Sequence, residues 1–284
     1  MNKTASDGLR ARFVGQWTLE KLFYVERYAK AFMGAMAPKR SEGKWESLVY
    51  LDLLSGPGLC IEKDTGREHS GSALLALNVQ PAFDRLYFAD VSKRNISALG
   101  KRISQTDHKR VRLEAGDCNN IVKDFISEIS TKALGLAFLD PEGFEVKFET
   151  IKILATRRID ILYLFPSGIG IKRNYQSFLK RAQCPMDDVM GGRNWRDQLL
   201  KETIGIHDFT QHVSKVVGLL VKHFREQMAT LNYYSKNESQ PLLVNDRNSP
   251  MYHLLFFSKH KAGLNIWKGI KKIEPGGQRV LPLN

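Results

Sequence analysis

Residues 49–60 read VYLDLLSGPGLC. An apolar, strand-length run ends on Asp52, and the chain then turns through Ser55-Gly56-Pro57-Gly58 with almost no side chains. Glycine tolerates positive φ and lets the backbone come close to a ligand. A strand, a glycine-rich turn and an acid at the end of the following strand together form a nucleotide cradle, in which the turn passes under the ligand and the acid binds two ribose hydroxyls. Asp90, which closes RLYFAD, stands where that acid belongs.

Four further apolar runs share the texture of the first. SLVYLDLL (47–54) is followed by RLYFAD (85–90), VRLEAGD (111–117), LGLAFLD (134–140) and IDILYLF (159–165). The segments between them, among them GSALLALNV, SKRNISALGKRI, NNIVKDFISEI and FETIKILATR, are long enough for helices. Strands alternating with helical patterns predict an α/β fold built of βαβ units, with a mainly parallel sheet covered on both faces. Right-handed crossovers then bring every carboxyl end of a strand to one edge, where ligands bind. Four of the five runs place an aspartate at or near that edge, and a carboxylate is costly to bury without a task.

After Ser167 the pattern changes. Residues 172–228 read as helices broken at Gly191-Gly192, next to Arg193, Trp195 and Arg196. LNYYSKNESQPLLVND and MYHLLFFSKH read as a final strand pair, NIWKGIKKI as an amphipathic helix, and the Pro/Gly tail as frayed. The expected organisation is one domain over 1–284: an N-terminal helical segment (1–46), a cofactor-binding core (47–171), a helical insertion (172–228), then the strand pair and C-terminal helix (229–284).

Composition narrows the class. The net charge is +13, and 171–284 carry 18 basic against 9 acidic residues, so most of the positive field is expected from the C-terminal part. Such a field attracts polyphosphates, nucleic acid above all, although a solvated lysine-rich surface has the same composition. No apolar run reaches the roughly 18 residues of a membrane span, and MNKTASDGLRARFVGQW does not read as a secretory signal. Cys60, Cys118 and Cys184 stand apart and the histidines form no HxxxH or HExxH. Neither a disulfide framework nor a metal site is expected, and the cysteine usage suits a reducing cytoplasm.

The turn also narrows the ligand. Dinucleotide sites run GxGxxG straight into a helix that caps a pyrophosphate. Here the turn Ser55-Gly56-Pro57-Gly58 of SGPGLC is followed by residues 59–70 before the helical GSALLAL, which suits an adenosine ligand lacking pyrophosphate. The expected cofactor is S-adenosylmethionine.

LDLLSGPG, GSALLAL, FAD, FLDPEGF, IDILYLFPSGIGIKRN and PMYHLLFFSKHKAGLNIW together resemble the three-Cys-motif partner family (TcmP), over nearly the whole chain. The opening VGQWTLEKLFYVERYAKAF is similar to that family's first helix. The resemblance implies a Rossmann-like class I methyltransferase fold: a mainly parallel seven-stranded sheet with an antiparallel last strand and a helical insertion before the final hairpin. It also implies S-adenosylmethionine as cofactor and a three-cysteine protein as partner.

On this reading Asp52, Ser55, Gly56 and Gly58 face the methionine end of the cofactor, Ser72 starts the helix beside its carboxylate, and Asp90 takes the ribose. Asp117 either reaches the adenine amino group, with Cys118 beside it, or caps the helix of NNIVKDF. Asp140-Pro141-Glu142-Gly143-Phe144 lies where amino-group methyltransferases carry Asp-Pro-Pro-aromatic. There Asp140 would accept protons from an amine and Phe144 would stack on its ring. Glu142 in place of proline leaves two alternatives: a working acceptor site, or a cofactor-binding regulatory protein that has lost transfer. A nucleotide-binding enzyme of other chemistry is the third, and it lacks a Walker lysine pattern. Lys172, Arg173, Arg193 and Arg196 are the candidate nucleic-acid contacts. Lys21 reads either as a phosphate-steering cation or as part of a solvated helix face, and Trp195 either as a base-stacking residue or as a core anchor.

Overall fold

The run that holds the glycine turn is the central strand of the molecule. The computed structural model describes residues 3–205, 209–234, 241–245 and 250–273. In chain order the first elements are β1 (Lys3–Thr4), β2 (Arg10–Val14), α1 (Gln16–Ser41), β3 (Leu48–Asp52), β4 (Leu59–Glu62), β5 (Glu68–Ser70) and α2 (Ser72–Leu77). The core continues through β6 (Arg85–Asp90), α3 (Lys93–Arg102), α4 (Gln105–His108), β7 (Val111–Ala115), α5 (Cys118–Glu128), β8 (Leu134–Leu139), α6 (Phe148–Leu154) and β9 (Arg158–Phe165). Then follow α7 (Ile169–Lys180), α8 (Pro185–Val189), α9 (Asn194–Thr203), α10 (Phe209–Thr230), β10 (Leu242–Val244), β11 (Pro250–Phe257) and α11 (Lys261–Ile270).

The large sheet has seven strands in the order β10-β11-β9-β8-β3-β6-β7. β3 is parallel to both β6 and β8, β6 to β7 and β8 to β9, whereas β11 runs antiparallel to β9 and to β10. This is the expected Rossmann-like sheet with its reversed last strand. The two-residue period of the strands sends alternate side chains into two separate cores. Leu51, Ala137, Leu139, Ile161 and Tyr163 join the core under α5, α6 and the inserted helices, while Leu48, Tyr50, Leu136, Phe138 and Leu162 join the core under α1, α2 and α11. Burial on both faces is why these runs read as continuous rather than alternating apolar sequence. Trp267 anchors α11 in the second core, in stacked contact with Phe256.

The inserted helices are part of the first core and not an appended module. Trp195 of α9 and Phe224 of α10 are fully buried, and Phe224 packs on Tyr163, Phe165 and Phe257.

Two expectations need correction. The N-terminal segment is not all helix: residues 3–14 carry β1 and β2, and α1 begins only at Gln16. The stretch 59–70 is not a plain connection. β4 and β5 pair with β1 and β2 in a second, four-stranded sheet in the order β1-β2-β4-β5. It has a small apolar core of Ala5, Ala11 and Ile61. Such short polar-rich strands have little period-2 signal of their own; pairing across distant parts of the chain makes them strands. The small sheet brings β2 up beside the glycine turn. The expected tail (274–284) and most of the loop before β11 lie outside the described residues.

Candidate functional site

The glycine turn is held open by its own backbone. Gly56 has φ +63° and Gly58 φ +92°, both in the left-handed region that side chains avoid. A Cβ on Gly58 would lie 2.9 Å from Leu99 Cδ1, while one on Gly56 would meet nothing within 4 Å. The Ser55 N–H donates to Ala89 O (2.8 Å) and the Gly71 N–H to Gly58 O (2.7 Å), fastening the turn to β6 and to the start of α2. Arg102 holds it from outside, donating to Pro57 O (2.5 Å), to Arg10 O (2.8 Å) and to both Asp7 oxygens.

Above the turn is a cavity of about 610 Å³ lined by Gly56, Asp90, Val91, Asp117, Asp140 and Phe144 among others. That volume is within the range of small-molecule sites. Asp90 sits at its wall, and its carboxylate is already largely engaged. Oδ1 accepts from Ser92 N–H (2.8 Å) and Asn95 Nδ2 (3.0 Å), and Oδ2 accepts from Gly56 N–H (3.0 Å). A carboxylate offers about four acceptor positions, so one position, on Oδ2, is left for a ligand hydroxyl. A second ribose hydroxyl would require Asn95 to swing aside. Val91 next to it is 79 % exposed at the cavity wall, an apolar face turned outward at the site.

Asp117 meets the capping alternative: its Oδ1 accepts from Asn119 N–H (2.8 Å) and Nδ2 (2.7 Å) at the start of α5. It lines the cavity as well, so cap and wall are one residue. Cys118 is buried beside it, and burial first, then the Asp117 charge, pushes its thiol up to about 12. It therefore contributes to the wall as a neutral thiol.

Asp52 departs from its expected role. It is fully buried and lines none of the cavities described. It accepts from Ser72 Oγ (2.5 Å) and from Leu54 N–H (3.2 Å), tying β3 to α2. Desolvation raises its carboxyl to about 7, against the lowering effect of the Ser72 bond. Asp52 and Ser72 thus brace the turn from behind, and Ser72 also borders the small void beside Ser55. Ser55 does face inward: its Oγ is buried without a partner and borders a 20 Å³ void shared with Thr18, Lys21 and Asp140. That is room for one water.

The acceptor side is governed by α1, from which Lys21 was expected near this edge, and by β2, which sequence reading did not bring here. Lys21 is 3 % exposed and forms a buried ion pair with Asp140 at the end of β8. Its ammonium also lies 4.8 Å from the Trp17 ring. Neither alternative held for Lys21, yet a signal existed: positions 18, 21, 22, 25, 28, 29 and 32 form the buried stripe of α1, and a lysine on that stripe needs a partner. Arg12 of β2 pairs with Glu142 (2.5 Å). Burial works against the Arg12 cation, but Asp140 and Glu142 outweigh it and hold its pKa above the usual value. Glu142 is therefore no bare negative charge over the pocket. Its carbonyl accepts from Tyr252 Oη (2.9 Å), which stacks on Trp17. Phe144 lines the cavity and packs edge-on against Phe178 of α7.

Of the candidate nucleic-acid contacts, Arg193 and Arg196 both lie beside Asp187. Arg196 is committed to the interior: it binds Asp187 through two nitrogens (2.5 and 3.0 Å), together with Arg181 O and Cys184 Sγ. Trp195 is a core anchor, with Nε1 donating to the same Asp187 (3.0 Å). Arg193 is exposed and only 3.9 Å from Asp187. Lys172 and Arg173 belong to α7 and not to a loop, and their side chains are outside the described residues.

No family model matches this sequence and no curated protein matches it. Solved structures do. Trm1 from Pyrococcus horikoshii, in complex with S-adenosyl-L-methionine, is 11 % identical with TM-score 0.45, over 93 % of this chain and 61 % of that one. Protein LPL1258 from Legionella pneumophila, described with the family model DUF519, is 16 % identical with TM-score 0.42, over 62 % and 75 %. A putative O-methyltransferase from Klebsiella pneumoniae is 11 % identical with TM-score 0.39, over 86 % and 90 %.

Proposed function

We propose that this chain is an S-adenosylmethionine-dependent methyltransferase of the class I, Rossmann-like kind, working in the cytoplasm on or with DNA or RNA beside a three-cysteine partner protein. One observation carries the reading: a carboxylate at the end of the second core strand, Asp90, is locked to the backbone of a positive-φ glycine turn and keeps one acceptor position at a cavity wall.

The residues suit the cofactor. Asp90 Oδ2 has room for one ribose hydroxyl, and Val91 offers an apolar face to a base. Ser55 Oγ is a buried hydroxyl still lacking a partner, and the glycine turn lets the backbone approach closely. When bound, the cofactor supplies an electrophilic methyl group. The chain's own work is to hold and orient. Asp140, kept in place by Lys21, presents a fixed carboxylate to an acceptor. Phe144 gives a planar acceptor a ring to lie against. Arg12 neutralises Glu142, so that the pocket does not repel a polyanion. Rate enhancement then comes mainly from positioning.

A second reading has its own observation. Both rim carboxylates are already paired, Asp140 with Lys21 and Glu142 with Arg12, which is what a cofactor-binding regulatory protein without transfer would retain.

Isothermal titration with S-adenosylmethionine tests the common part: the expected result is binding by the wild type and its loss in Asp90→Ala. Absence of binding refutes both readings. Transfer of a labelled methyl group to DNA, RNA or the partner then separates them. Transfer supports the enzyme, and binding without transfer to any of the three supports the regulator.

A further inference from the structure

Against the outer face of the small sheet, β2 and α3 enclose a second concavity of about 330 Å³. Every charged residue lining it is a cation: Arg10, Lys93, Arg94 and Lys101. Among the described residues none of the four has an ion-pair partner. Asp7, three residues before Arg10, is held by two nitrogens of Arg102 (2.8 and 2.9 Å). Lys93, Ser97 and Lys101 are spaced four residues apart on one face of α3, with Arg94 beside them.

Two of these cations, Lys93 and Arg94, stand where the helix that carries them does not favour positive charge. The amino end of α3 is capped by Ser92 and has no acid in its first turn; Lys93 and Arg94 stand there instead. The helix macrodipole disfavours positive charge at that end. The acid that does stand at that end, Asp90, spends its carboxylate on Ser92 N–H (2.8 Å), Asn95 Nδ2 (3.0 Å) and Gly56 N–H (3.0 Å), and forms no ion pair with Lys93 or Arg94. Exposed side chains each hold an anion weakly, which makes a small phosphate a poor occupant and a chain of phosphates a good one. From Lys93 to Lys101 is about 12 Å at 1.5 Å per residue, long enough to face more than one phosphate of a strand.

We propose that this groove binds the sugar-phosphate backbone of a nucleic-acid strand and leads it to the reaction cavity. Arg10 belongs to both concavities, and Arg102 bonds both Arg10 O and Pro57 O, so groove and glycine turn are one rigid unit. The docking surface is thus the N-terminal hairpin side of the molecule rather than the more basic C-terminal part. The proposal rests on the preceding section only for what the cavity does.

The test is fluorescence anisotropy with a short labelled oligonucleotide of mixed sequence, titrated over a series of salt concentrations. In the triple variant Lys93→Gln, Arg94→Gln, Lys101→Gln, the slope of log Kobs against log[salt] is expected to shrink by about 2, at about 0.7 per lost contact on a single strand. Affinity at low salt falls at least about tenfold. Arg193→Gln leaves the slope as in the wild type. Lys93→Gln and Arg94→Gln relieve dipole repulsion while Lys101→Gln gives up an attraction at the last turn, so the melting temperature is expected to stay level, and a thermal melt of the triple variant separates lost binding from lost fold. Three results overturn the proposal: an unchanged slope in the triple variant, no oligonucleotide binding by the wild type, or displacement by polyglutamate at matched charge, which assigns the groove to an acidic protein. If S-adenosylmethionine fails to bind the wild type, the cofactor reading falls, and the salt slopes still decide the groove.

Discussion

Replacing Lys21 by methionine removes the cation of the most deeply buried ion pair at the site while keeping the length and apolar stem of the side chain. The partners' side chains are only 3 % and 9 % exposed, so the few waters that reach the pair replace the ammonium poorly. Breaking a buried pair by deleting one partner costs about 3–5 kcal/mol, because the other charge is left desolvated. Asp140→Asn, which strands the lysine instead, is expected to cost a similar amount. The double variant Lys21→Met, Asp140→Asn leaves neither charge and is expected to lose less than the two single losses combined, giving a coupling energy of at least roughly 2 kcal/mol. Urea unfolding of the four proteins, followed by tryptophan fluorescence, measures the cycle. A domain's whole stability is about 5–15 kcal/mol, so a single loss of this size moves the midpoint visibly. If each single variant costs less than about 1 kcal/mol and the costs simply add, Lys21 and Asp140 are not coupled, and Asp140 is not held by α1.

Asp52 makes apo stability depend on pH in a direction unusual for a carboxylate. Its folded pKa is raised from 3.8 to about 7 by desolvation, so the folded state holds a proton that the unfolded chain has released. Its contribution is full below about 4 and is lost as pH rises through 7, a fall of roughly 4 kcal/mol at 1.36 kcal/mol per pK unit. Thermal melts from pH 4 to 8 should show this component in the wild type and not in Asp52→Asn; parallel curves would rule it out. The two turn glycines should also separate. Gly56→Ala costs about 1–2 kcal/mol for the left-handed conformation alone, whereas Gly58→Ala adds overpacking against Leu99 at 2.9 Å, typically a further 1–3 kcal/mol. Equal melting temperatures for the two variants would contradict this packing.

The core was legible because its signals are local. Each parallel strand except the edge strand β7 is a run buried on both faces, and each ends on the edge where Asp90, Asp117 and Asp140 lie. What remained hidden is non-local. Nothing within residues 3–14 shows that they will pair with β4 in parallel, Arg12 opposite Cys60. Nothing within 187–196 shows that Asp187 will collect Trp195 and Arg196 and turn a basic-aromatic stretch into a buried hub. Asp52 was misplaced for a related reason: the sequence puts it at the strand end but cannot say which way its carboxyl turns, and Ser72 draws it inward. Lys21 alone was recoverable, from its position on the apolar stripe of α1.

Those non-local pieces also explain how one edge of the sheet serves as a site. The parallel core supplies the carboxylates, but left alone Asp90 and Asp140 would face water with flexible loops between them. The glycine turn fixes Asp90 through Gly56 N–H, α1 fixes Asp140 through Lys21, and β2 covers Glu142 with Arg12. Two of these three supports come from the segment N-terminal to the core, and Arg102 clamps that segment to the turn. Removing the first 15 residues should therefore leave the seven-stranded sheet, whose two cores they do not enter, while stripping Glu142 of its Arg12 partner and unfastening the turn. The expected outcome is a folded protein with weakened binding of S-adenosylmethionine, read by circular dichroism and titration. Binding as tight as that of the full chain would show that the hairpin is ornamental to the site and that the core edge is sufficient by itself.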